Sequence, residues 1–188
     1  MGSGYILTMT LEQLIIGLIR IGGSLPVLRW AFVGAWIAIL VDFSDLFLKG
    51  WIDLGGIGDY QTFDKLLDLV YMVTFLVVAF RWNGPVRTIA VALFVFRIIG
   101  VIAFEVVESR LVLLAFPNVF EFWFLGVSAQ IHWWPNFQYT RHNITLILLA
   151  ALALKMGQEW IIHGGQYLDR WVATELLADF WRWLTGGF

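Results

Sequence analysis

The chain has 188 residues, 60% of them hydrophobic and only 14% charged, with a mean hydropathy of +0.80 and a formal net charge of −2. A soluble domain is usually about a quarter charged, so too few polar groups exist to coat a water-soluble globule. With no basic stripe to meet phosphates, nucleic acid is excluded as a partner, and zero cysteines remove disulfides, iron–sulfur ligation and thiol nucleophiles.

The start, Met1-Gly2-Ser3-Gly4-Tyr5, lacks a basic n-region and a small-residue cleavage site, so no removable signal peptide is expected. Leu11–Ile21 is apolar but short and carries Glu12 and Arg20, which predicts an interfacial helix, with a stubby sixth span as the alternative. A spanning helix needs about 20 mostly apolar residues. Segments that meet this run over about Leu25–Phe47, Phe63–Arg81, Val86–Glu105, Leu111–Ser128 (broken by Pro117) and Ile144–His163. The polar connection Gln130–Asn143, with Trp133, Trp134 and Pro135, reads as an interfacial loop. Tyr167–Leu184 alternates aromatic and charged residues at helical period and predicts an amphipathic helix on the membrane surface. The expected fold is therefore one all-α integral membrane domain over 1–188, a bundle of five or six spans with an amphipathic helix at each end. It belongs in a plasma or inner membrane. Membrane lipids are its expected partners, with a homo-oligomer or a larger membrane complex beside them.

Basic residues divide evenly between the two sides: Arg20, Arg29, Arg81, Arg87 and Arg141 on one, Lys49, Lys65, Arg110, Arg170 and Arg182 on the other. The positive-inside rule thus gives no orientation.

Charges inside spans are costly and usually face the bundle interior, a partner or water. Asp42 and Asp45 stand three apart near the end of the first span, and Asp64 and Asp68 four apart in the opening turns of the second. Each pair shares a helical face, and the hairpin puts both pairs at similar depth. Their mutual repulsion is relieved by protonation, by Lys49 or Lys65, or by a hard divalent cation. All-oxygen ligands favour Mg2+, Mn2+ or Ca2+ over zinc, with Mg2+ or Mn2+ the expected cofactor. The spacing D-x2-D, then D-x3-D, resembles the signature of the CDP-alcohol phosphatidyltransferases. That resemblance implies a metal-dependent enzyme acting on a nucleotide-linked lipid, with Asp42, Asp45, Asp64 and Asp68 as metal ligands and Asp68 as ligand or catalytic base. Leu46, Lys49-Gly50 and Tyr60 stand where the family has Gly, Ala-Arg and Gly. A relative that kept the fold and dropped the reaction is the other implication.

Two further polar sets lie on the later spans. Arg97 and Glu105 share a face of the third span, with Glu108 and Arg110 just beyond it. Mid-span Arg97 needs a carboxylate or a backbone carbonyl. Glu121 is a candidate, as is a carbonyl exposed by the kink at Pro117. Lys155, Glu159 and His163 form one stripe on the last span, where Lys155 and Glu159 can pair. With only His132, His142 and His163 in the chain, stacked haems are excluded. Three functions stay open on the residues alone. They are a divalent-metal carboxylate site acting on a phospholipid headgroup or nucleotide-linked precursor, a proton or ion conductor lined by Arg97, Glu105, Glu121, Lys155 and Glu159, and a non-catalytic subunit.

Overall fold

The computed structural model describes residues 11–51, 60–107, 112 and 115–159, with the side chains of 12, 43–51, 60–66 and 159 outside that description. The described residues are helices and connecting turns, with no strand among them. In chain order the helices are α1 (Leu11–Ser24), a 3-10 turn (Leu25–Leu28), α2 (Ala31–Trp51), α3 (Tyr60–Ala79), α4 (Pro85–Val107), α5 (Val119–Trp133) and α6 (Arg141–Glu159). The expected amphipathic segment Tyr167–Leu184 lies outside the described residues.

Prolines and glycines set the boundaries. The span expected to begin at Leu25 begins at Ala31. Pro26 sits at the start of the 3-10 turn, and its carbonyl accepts from the N–H groups of Arg29 and Trp30. Gly84, at φ 70°, makes the left-handed turn into α4, a conformation that suits a residue without Cβ, and Pro85 then supplies a preset φ for the first helical turn. The expected fourth span, Leu111–Ser128 broken by Pro117, is interrupted at that proline and extends beyond Ser128. Pro117 lacks an N–H and α5 opens only at Val119, then runs through His132 to Trp133. The expected loop Gln130–Asn143 contracts accordingly, since His142 and Asn143 already lie on α6.

Leu11–Ser24 is part of the bundle, packed along α2 and α3. Ile16, Arg20 and Ser24, spaced four apart, are its buried stripe, while Leu14, Leu18, Ile21 and Leu25 point outward. Polar inside and leucine outside inverts the pattern of a helix in water. The pattern recurs elsewhere: Trp36, Leu40, Val77, Leu149 and Leu154 are all exposed. Among the described helices, α4 is the one long and apolar enough to cross a membrane, and 17% of its apolar window is buried.

The packed centre is aromatic. Phe75 stacks on Phe124 at 4.3 Å between ring centroids, Trp82 stacks on the same ring at 5.1 Å, and Phe120 meets Phe94 edge-on at 5.6 Å. Trp123, fully buried, donates its indole N–H to the Val86 carbonyl at 3.3 Å. Because Phe124 is shared by two stacks, Phe124→Ala is expected to cost about 3–5 kcal/mol. The check is the unfolding midpoint of purified protein in detergent. A loss below about 1 kcal/mol would mean the rings are not packed as described.

Candidate functional site

The site grows from α1. Arg20 is the third-turn member of the inward stripe, and its side chain is 4% exposed. A guanidinium stays charged at any physiological pH, so its burial demands anionic partners. Antiparallel packing brings them. One nitrogen, Nη2, donates to Asp42 on α2 and to Asp68 on α3, the latter at 2.6 Å. The two carboxylates are 31% and 26% exposed, so the triad sits at the edge of the buried core. Its three residues come from three helices and are separated by 22 and 48 positions from Arg20.

Asp42 and Asp68 are thus brought together, with Arg20 between them. Asp45 lies one turn beyond Asp42 on α2, and Asp64 one turn before Asp68 on α3; their side chains, and those of Lys49 and Lys65, lie outside the description. No group of three or more His, Asp or Glu suited to a metal ion occurs among the described residues. Arg20 was expected at the membrane surface as one of the basic residues counted for orientation, and the structure buries it.

One turn further along α3 is a second polar group. Tyr71 donates its phenol to Glu121 Oε2 at 3.2 Å, and the Asn118 amide donates to both, to the Tyr71 hydroxyl at 3.2 Å and to Glu121 Oε2 at 3.3 Å. All three are buried. The N-terminal turn of α5 explains the arrangement. Asn118 stands at the N-cap and Glu121 in the first turn, where the helix dipole favours a negative charge. Arg97 reaches a backbone carbonyl, donating Nη1 to Phe116 at 3.0 Å. This is the carbonyl immediately before Pro117, and Glu121 takes Tyr71 and Asn118 instead. The Arg97 Nε and Asn118 Oδ1 have no hydrogen-bond partner among the described residues.

The remaining expected residues are dispersed. Glu105 is exposed near the end of α4, so it does not join Arg97 in the interior. Buried Lys155 donates to Gln158 at 3.0 Å. The Glu159 side chain, His163, Glu108 and Arg110 lie outside the described residues. Sequence reasoning missed Arg20, Tyr71 and Asn118. The signal for Arg20 was its i+4 relation to Ile16 and Ser24, both non-charged and both inward-facing.

Fold and site together define an all-helical bundle with an arginine–dicarboxylate triad at the α1–α2–α3 junction. No protein-family model, no curated protein and no solved structure matches the chain.

Proposed function

We propose that this chain is a multi-pass membrane protein whose α1–α3 junction is a cation-dependent site for a phosphate-bearing lipid headgroup or nucleotide-linked lipid precursor. The observation that carries this reading is the single Arg20 nitrogen shared by Asp42 and Asp68. From Asp42 to Asp68 the hairpin carries six aspartates and two lysines, so with Arg20 it retains three negative charges, an excess that favours a further cation. A divalent ion bridging carboxylates to a diphosphate meets that need, and a released guanidinium is a good hydrogen-bond donor to phosphate oxygens. Asp68 is then the ligand or base beside the reacting headgroup. The multi-pass part rests on the outward large apolar side chains along α1–α6, whose exposure to water would be costly.

A second reading, proton or cation transport, is favoured by the hydrogen-bonded group Tyr71–Asn118–Glu121. Against it stands the aromatic core: Phe75, Trp82, Phe120, Trp123 and Phe124 close the bundle between that group and the far helix ends. A polar route that stops at packed rings suits a binding site better than a conduit.

The test is a metal titration of the full chain in detergent. Millimolar Mn2+ or Mg2+ is expected to raise the melting midpoint by several degrees, and Asp64→Asn is expected to abolish the shift. An unchanged midpoint with both metals overturns the headgroup reading. A pH-driven flux in liposomes that Glu121→Gln removes establishes the transport reading in its place.

A further inference from the structure

The helix ends opposite the aspartate hairpin have a composition of their own. Three connections meet there: Arg29–Trp30, Phe80–Gly84 and Trp134–Thr140. They are tied together, since Arg81 donates to the Leu28 carbonyl at 2.6 Å and Phe32 contacts both His132 and Trp133, at 5.7 and 4.6 Å. Arg29, Arg81, Arg87 and Arg141 are all exposed at this end. The stretches 25–34, 79–89 and 129–145 contain no aspartate or glutamate, although the chain holds 14. Along α2, α3 and α5 the first carboxylates from this end are Asp42, Asp68 and Glu121, each about 16–18 Å inward at 1.5 Å per residue. A chain of net charge −2 therefore presents a face that is only positive among its described residues.

The same face is rimmed by tryptophan. Trp30, Trp133 and Trp134 are 61%, 55% and 61% exposed. Trp133, Trp134 and Phe137 line an open hollow of about 350 Å3 together with Pro135 and Asn136. Exposed indoles beside arginines, without carboxylates, match a headgroup layer: the rings sit at the acyl boundary and the guanidiniums reach the phosphates. A protein partner with an acidic surface would account for the arginines and leave the indole rim unexplained.

We propose that this end of the bundle docks on the phosphate headgroups of an anionic lipid leaflet, drawing such lipids to the Arg29, Arg81, Arg87 and Arg141 face. This goes beyond the hairpin site and rests only on the membrane-embedded part of the proposed function. Arginine is suited to the task because its planar fork takes two phosphate oxygens at once. The attraction is electrostatic and must fall away when salt shortens the screening length to about 3 Å at 1 M.

Delipidated full chain, mixed with micelles of equal phosphatidylglycerol and phosphatidylcholine, is recovered and its co-eluting lipids counted by mass spectrometry. Phosphatidylglycerol is expected to be enriched about fivefold or more at low salt and to lose that enrichment at 1 M NaCl. The variant Arg29→Gln, Arg81→Gln, Arg87→Gln, Arg141→Gln is expected to bind both lipids equally. If that variant does not fold, Arg29→Gln and Arg87→Gln singly each lower the enrichment by a part. Equal binding of the two lipids by the unaltered chain, or enrichment kept at high salt or in the variants, overturns the proposal. Alkaline carbonate extraction reads the embedding separately. Release of the chain from membranes overturns the multi-pass reading and leaves the lipid count to stand or fall alone.

Discussion

Arg20→Ala is expected to destabilise the bundle by about 2–3 kcal/mol, below the roughly 3–5 kcal/mol for breaking a fully buried charge pair. The full penalty applies where the orphaned charges are sealed from water. Here the guanidinium is sealed, but Asp42 and Asp68 are 31% and 26% exposed, so water recovers part of the loss. Two carboxylates facing each other without a cation nevertheless repel. The loss should therefore shrink when they are neutralised, and Arg20→Ala combined with Asp42→Asn and Asp68→Asn is expected to regain most of it. Arg20→Lys keeps the charge and loses the planar fork, which places it between the two. Equilibrium unfolding in mixed detergent micelles measures all four proteins. An Arg20→Ala protein as stable as the parent would show that the triad contributes nothing, and a triple variant weaker than the single one would show that the repulsion argument is wrong.

Gly34→Ala is expected to cost about 3 kcal/mol or more, at the upper end for overpacking. A Cβ on Gly34 would stand 2.5 Å from the Pro26 carbonyl carbon and from Val27 Cα, and closer still to the Val27 amide nitrogen. These are backbone atoms of the 3-10 turn and have no rotamer to change. Relief requires α2 to move away from the turn, which also pulls Asp42 from Arg20. Gly22→Ala is the control. Its Cβ would meet nothing within 4 Å, and alanine in a helix interior is favoured over glycine by roughly 0.5–1 kcal/mol. The two substitutions should thus move the unfolding midpoint in opposite directions. Gly34→Ala melting with the parent would show that the turn does not pack on α2 as closely as described.

The two polar groups of the interior differ in how they are held. The triad links three helices through one guanidinium, so its geometry depends on α1 being in place. The Tyr71–Asn118–Glu121 group depends on the first turn of α5, where Pro117 ends one segment and Asn118 begins the next. Pro117 also leaves the Phe116 carbonyl available to Arg97. A kink that was legible as a break in a span is, in the folded chain, what satisfies the mid-helix arginine.

The helical class, most helix bodies and the inward position of Asp42, Asp68, Arg97 and Glu121 follow from hydropathy and period, because a long apolar run with sparse charges has few other ways to satisfy its backbone. Proline likewise announces the break at Pro117 from local stereochemistry alone. Which charge meets which is a different kind of fact. Arg20 is 22 positions from Asp42 and 48 from Asp68, and periodicity within one helix carries no information about its neighbours' rotation or register. Placing α1 in the bundle, and so bringing Arg20 to Asp42 and Asp68, required the helices to pack. The gathering of Arg29, Arg81, Arg87 and Arg141 at one end was legible from the order of the helices alone, whereas the withdrawal of Arg20 from that set into the interior was decided by packing.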